Sequence, residues 1–309
     1  MNETPQTPLQ TLRQLETSCT VQPIWPVTLP PGTCPPEVTE RTLSPDIPDR
    51  IITGVQNPEC MVFHPETPNG IGVVVFPGGG YMKLAIDNEG IAVAKTLVTM
   101  GYTVFVCSYR FPGEGHEFGS DTPLADAQRA IRWVRHHAEQ WSLRYVGIMG
   151  FSAGGHLSGQ LLTRYSETFG TTTDEIDQHS ARPDFAALIY PVVSMREDNR
   201  HQGTMERLLG NVPTQEQIDR YSVEYHIHTD VPPCFLLHAA DDDAVSVNNS
   251  LLLWQALRNH HIPVDMHLFG QGKHGFGINK AKHLPAGEWP QLFHRWLTCQ
   301  KLSGKYAPN

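Results

Sequence analysis

Six short apolar runs punctuate the chain. They cover residues 71–76, 103–108, 145–149, 185–190, 234–240 and 264–269. Runs this short and this continuous read as strands covered on both faces. Segments with helical spacing lie between and after them, at 88–100, 123–141, 157–165, 247–260 and 288–300. The second places Leu124, Ala127, Ala130, Ile131 and Val134 on one face, and the last turns Leu292, Phe293, Trp296 and Leu297 inward. Two shorter strands are predicted at 50–53 and 60–64. Strands alternating with helices predict an α/β fold, with a mostly parallel central sheet and helices on both faces. Ligands of such sheets bind beyond the carboxyl ends of the strands. Residues 195–229 hold short helical pieces and no buried strand, so they read as a cap-like insertion over the site. Residues 1–48 are rich in Pro and Thr, with Pro30-Pro31 and Pro35-Pro36, and read as an extended arm. Residues 49–309 then form a single domain.

The apolar run at 145–149 leads into Gly150-Phe151-Ser152-Ala153-Gly154-Gly155-His156, and a helix follows. Strand, G-x-S-x-G, helix is the context of a nucleophile elbow. Ser152 would stand on the sharp turn, with the helix N-terminus facing the chemistry. A serine hydroxyl needs a base to take its proton, and the base needs a carboxylate to hold its tautomer. Downstream, Asp241-Asp242-Asp243 follows one strand and Gly272-Lys273-His274-Gly275-Phe276 follows the last. Of 16 histidines, His274 stands out through that glycine-flanked loop. Gly78-Gly79-Gly80 follows an early strand and can turn N–H groups inward. With the amide of Ala153 it would complete an oxyanion hole from Gly79 and Gly80. The glycine loop lacks the spacing and the Lys-Ser/Thr pair of a phosphate loop. His226 and His228 lack ligand company at zinc-like spacing, so no metal is expected.

Composition narrows the partners. The formal net charge of −9 argues against nucleic acid and anionic membranes. No apolar run approaches the length of a membrane span. No secretory signal is visible at the N-terminus, which predicts a cytoplasmic protein. Six scattered cysteines without a C-x-x-C pair fit a reducing compartment, with no structural disulfide and with Cys107 and Cys234 as small core residues. A homodimer is left open.

The motifs together resemble the acetyl-xylan/feruloyl esterase-like group of the α/β-hydrolase superfamily, related to the hormone-sensitive-lipase-like esterases. The resemblance runs from about Ile71 to Gly277. It is carried by Pro77-Gly78-Gly79-Gly80-Tyr81, Ser108-Tyr109-Arg110-Phe111, Pro123-Leu124-Ala125-Asp126, the elbow, His238-Ala239-Ala240-Asp241-Asp242 and the His274 loop. Pro77 stands where lipase-like relatives carry His, which favours the sugar-esterase branch. Ser246 stands where the acid loop of the family often has Pro.

This resemblance implies an α/β-hydrolase fold and a serine carboxylester hydrolase acting through an acyl-enzyme. It implies no cofactor, and favours acetyl groups on sugar hydroxyls. In the family the acid lies three positions before the valine that is Val245 here, which selects Asp242, with Asp241 and Asp243 as alternatives. Asp241 is expected to bond loop backbone as an Asx-type turn, and Asp243 to face water. Tyr81, Lys83, His156 and Phe276 are expected to contact substrate. Arylformamide or peptide cleavage by the same triad is the competing enzyme reading, and a non-catalytic ligand receptor the competing non-enzyme one.

Overall fold

A computed structural model describes residues 7–16, 18–26, 28–41, 47–170, 174–300 and 302. In chain order the strands are β1 (Cys19–Pro23), β2 (Glu37–Glu40), β3 (Arg50–Thr53), β4 (Glu59–Phe63), β5 (Ile71–Phe76), β6 (Thr103–Cys107), β7 (Tyr145–Phe151), β8 (Ala186–Ile189), β9 (Cys234–Ala239) and β10 (Val264–Phe269). The α-helices are α1 (Pro8–Leu15), α2 (Ala92–Val98), α3 (Thr122–His136), α4 (Ser152–Arg164), α5 (Gln202–Leu209), α6 (Gln215–Tyr221), α7 (Asn248–Asn259) and α8 (Trp289–Cys299). Eight strands form one sheet in the order β1-β4-β6-β5-β7-β8-β9-β10. The six from β6 to β10 run parallel, and β4 and β1 join antiparallel at one edge. The carboxyl ends of β5, β7, β8, β9 and β10 therefore open on the same side.

The continuous apolar runs are the central strands because helices cover both faces. Every residue of β6, β8 and β9 is buried, and so is all of β5 beyond Ile71. β10 is the edge, and only partly buried. The largest buried side chains, among them Phe76, Phe105, Phe151, Phe185, Phe235 and Trp289, fill the space between sheet and helices.

Two expectations are corrected. Residues 1–48 are not simply an extended arm. They contribute the helix α1, closed by a capping box on Thr7, and the edge strand β1, which pairs with β4. β2 pairs with β3, so the boundary at 48/49 cuts through a two-stranded sheet. The absence of a disulfide is also overturned: Cys60 and Cys107 are bonded. They are directly opposed on the antiparallel strands β4 and β6, with Cα atoms 4.2 Å apart. Forty-seven residues separate them in sequence, so only the strand register brings them together. Cys19, Cys34 and Cys234 are free, as is the exposed Cys299.

Among the described residues no helix is long and apolar enough to cross a membrane. The segment between β8 and β9 carries α5 and α6 and no strand.

Candidate active site

The turn from β7 into α4 is as tight as the pentapeptide requires. Ser152 has φ +52, a conformation that costs a non-glycine residue energy and is stored at functional sites. A Cβ on Gly150 would lie 2.2 Å from the Gly154 carbonyl oxygen, and one on Gly154 would lie 2.1 Å from that of Phe76. Neither backbone neighbour can give way, so glycine is obligatory at both. α4 begins at Ser152, so the Ala153 N–H has no acceptor within the helix.

The last two strands bring the partners. Ser152 Oγ donates to His274 Nε2 at 2.8 Å, and His274 Nδ1 donates to Asp242 Oδ2 at 2.7 Å. The Asp242 side chain is fully buried, while that of His274 is 23% exposed, open enough to meet a substrate. Asp242 Oδ1 accepts the N–H groups of Ala244 and Val245. Its Oδ2 also lies 3.2 Å from Nε2 of the buried His238. The same Nε2 donates to the Val245 carbonyl, so it carries the proton and presents it to the carboxylate. Burial alone would raise the carboxyl of Asp242; hydrogen bonds from His238 and His274 hold it well below the usual range.

Asp241 accepts the backbone N–H groups of Gly272 and Lys273. It thus braces the histidine loop rather than forming an Asx turn of its own, a role that falls to Asp242. Asp243 is exposed and reaches only Lys273, at 3.5 Å.

The glycine loop after β5 lies beside the serine. Its first N–H, on Gly78, is taken by Glu89 Oε2 at 2.8 Å. Gly79 and Gly80 follow with φ +139 and +65. Thr204 of α5 sits over this loop, its Oγ1 3.8 Å from where a Cβ of Gly80 would be.

Of the four residues expected to contact substrate, Tyr81, His156 and Phe276 are buried. Tyr81 Oη donates to His156 Nδ1 at 2.9 Å, and His156 Nε2 donates to the Tyr221 carbonyl at 2.8 Å. Both ring nitrogens are satisfied by protein, so His156 ties the glycine loop to α6 and offers a ligand nothing. Only Lys83 keeps exposed surface.

Burial pushes the His156 imidazole down to about 4, with the Tyr221 carbonyl partly opposing. An unfolded histidine gains its proton near 6.5, so between there and about 4 the unfolded state binds more protons. Stability is therefore full above that window and falls as the pH drops through it, by on the order of 3 kcal/mol. In urea unfolding at pH 7.5 and 4.5, His156→Gln should start less stable but lose less on acidification. An identical loss in both proteins would show that another group sets the slope.

Three buried residues around the triad are assigned no role by the sequence, although the first lies in a motif that carries the resemblance: His238, Glu89 and Tyr190. A histidine inside the apolar run of β9, four residues before Asp242, was the available clue to the first.

Residues 63–257 match the BD-FAE family. The chain is 34% identical over 227 residues to an acetylxylan esterase of Xylanibacter ruminicola, covering 71% of this chain and 44% of that protein. It is 33% identical over 208 residues to the endo-1,4-beta-xylanase B of Butyrivibrio fibrisolvens, covering 67% and 32%. The chain thus spans less than half the length of either relative. The crystal structure of an acetyl ester-xyloside bifunctional hydrolase from Caldicellulosiruptor lactoaceticus superposes with a TM-score of 0.70 at 29% identity, over 90% of this chain and 95% of that one. With 195 residues matched and the parallel sheet, elbow turn and loop order described above, the chain belongs to the BD-FAE family of α/β-hydrolases.

Proposed function

We propose that the protein is a serine carboxylester hydrolase that removes short acyl groups, acetyl above all, from carbohydrate esters. The observation that carries this reading is the unbroken chain from Ser152 Oγ through His274 to Asp242, at 2.8 and 2.7 Å, at the start of a helix. Ser152 Oγ attacks the ester carbonyl carbon as its proton passes to His274 Nε2. The negative charge arising on the carbonyl oxygen faces the N–H groups of Ala153, Gly79 and Gly80. Collapse breaks the bond to the sugar oxygen, which takes the proton from His274 and leaves as an alcohol. Water, deprotonated by the same nitrogen, then cleaves the acyl-enzyme and releases the carboxylic acid.

The sugar-ester specificity is supported by the relatives, which act on acetylated xylan or xylosides by name. The short acyl group is supported by the same relatives, two of which are named for acetyl esters. The segment with α5 and α6 serves as the cap. The Cys60–Cys107 disulfide favours an oxidising compartment over the cytoplasm.

The experiment is a substrate panel of acetylated xylo-oligosaccharides, p-nitrophenyl esters from acetyl to octanoyl, and arylformamides. Turnover is expected to be fastest on acetyl esters and to fall with acyl length. A steady rise towards octanoyl would point to a lipid substrate, and faster turnover of arylformamides to an amide hydrolase.

A further inference from the structure

Glu89 is buried beside the triad, and none of the acyl-transfer steps uses it. It stands on a single π-helical turn, Asp87–Ile91, that leads into α2. Such turns recur at functional sites. Its Oε2 accepts the Gly78 N–H at 2.8 Å, and its Oε1 accepts the Tyr190 hydroxyl at 2.9 Å. That hydroxyl in turn accepts the Gly277 N–H at 3.0 Å, so its own proton is committed to Glu89. Both carboxylate oxygens act as acceptors, which suits the ionised form.

Tyr190 follows β8 with φ +36, a conformation a tyrosine holds only when its surroundings impose it. Its ring meets His274 at 5.2 Å and Phe276 at 4.7 Å between centroids. Glu89 Oε1 also lies 3.6 Å from where a Cβ of Gly275 would be. One carboxylate therefore holds the glycine loop at one end and the histidine loop at the other.

We propose that Glu89 is a positioning residue that, through Tyr190, keeps the glycine loop in register with His274 and adds a second negative charge to stabilise the imidazolium of His274. The inference rests on the Ser152–His274–Asp242 reading. When the Ser152 proton reaches His274, the ring becomes a cation bonded to Asp242 of the β9–α7 turn and packed against Tyr190, whose hydroxyl meets Glu89 of the π-helical turn. His201, at the start of α5, also interacts electrostatically with His274, and Lys280 with Glu89. Tyr190 contributes its ring edge. Burial raises the carboxyl of Glu89, and the charge of His274 and the Gly78 and Tyr190 hydrogen bonds oppose that rise.

Glu89→Gln removes the charge and keeps the shape. Its oxygen can still accept Gly78, and its amide can donate to Tyr190. Tyr190→Phe keeps the charge and cuts the tether. Both are assayed with p-nitrophenyl acetate, counting active sites with a serine-directed phosphonate. Glu89→Gln should lose about 10- to 100-fold in kcat per titrated serine, with KM almost unchanged. Its acid limb in the kcat/KM profile should move to lower pH, because the cation of His274 loses a negative neighbour. Tyr190→Phe should lose about 10-fold in kcat with that limb in place.

A merely structural role would lower the melting temperature or the count of titratable serines and leave both readouts alone. A Glu89→Gln enzyme within about twofold of the parent in kcat, with its acid limb unmoved, overturns the proposal. If that variant does not fold, Tyr190→Phe decides, and an unchanged kcat there overturns it. Activity surviving in Ser152→Ala would instead sink the triad reading beneath it, so the two failures read differently.

Discussion

Ser152→Ala should lower kcat on an acetyl ester by at least about 10⁴-fold, without loss of the fold. The reason is that no neighbouring group can replace the hydroxyl. Ser152 Oγ is the atom hydrogen-bonded to His274 Nε2, and among the described residues no other serine or threonine hydroxyl bonds that nitrogen. What survives in the variant is the glycine loop, the helix N-terminus and substrate binding, which together still exceed the background in water. The residual rate should therefore be small but measurable, and it should resist phosphonate inhibitors that silence the parent. Stability should not suffer. Alanine has no more difficulty than serine at φ +52, and glycine has less. Ser152→Gly is thus expected to melt slightly higher than the parent while being as inactive as the alanine variant. Retention of more than a few per cent of parent activity, with contamination excluded, would remove Ser152 from the mechanism.

How much of this was legible in the chain depends on the range of the forces involved. Strands with a local signature were placed to the residue: 50–53, 71–76 and 264–269 coincide with β3, β5 and β10. The elbow was legible because its glycines answer to atoms close by, Gly150 to the Gly154 carbonyl four residues on. The π-helical turn reads as ordinary helix in the sequence, since its five buried residues carry no distinct periodicity. The disulfide depends on a strand register that pairs cysteines 47 positions apart, which no local pattern encodes. The helix α1 is hidden by the Pro- and Thr-rich texture around it, although Thr7 and Gln10 compose its capping box and Pro8 stands at its first position. The partners of Tyr81 and His156 are hidden from the sequence for the same reason. Polar side chains near a glycine loop and a nucleophile read as substrate contacts. Only the fold shows Tyr81 bonded to His156, and His156 to the carbonyl of Tyr221 at the end of α6. Glu89 is the converse case: its partners Gly78 and Tyr190, and Gly277 bonded behind Tyr190, come from three separate segments.

Among the three adjacent aspartates, Asp242→Asn should be the most damaging, by about 10³- to 10⁴-fold in kcat. The size follows from where each oxygen points. Oδ1 accepts two backbone N–H groups, from Ala244 and Val245, at 3.0 and 2.9 Å. An asparagine must keep its oxygen there, because turning the amide would set its NH₂ against both donors. Its nitrogen is then forced into the Oδ2 position, facing the N–H of His274 Nδ1 and that of His238 Nε2. His274 can relieve the clash only by moving its proton to Nε2, and an Nε2 that carries a proton cannot accept one from Ser152. The charge that stabilises the imidazolium is lost as well. Asp241→Asn makes the contrast, since its Oδ1 can go on accepting Gly272 and Lys273, and a loss of no more than a few-fold is expected. Asp241→Ala, which releases both N–H groups, should cost about tenfold by loosening the histidine loop. Asp243→Asn removes only an exposed ion pair with Lys273 and should leave kcat unchanged. The measurement is kcat on p-nitrophenyl acetate for the four variants, each shown by circular dichroism to be folded. A greater loss for Asp241→Asn or Asp243→Asn than for Asp242→Asn would mean that the carboxylate orienting His274 in solution is not the one that meets it here at 2.7 Å.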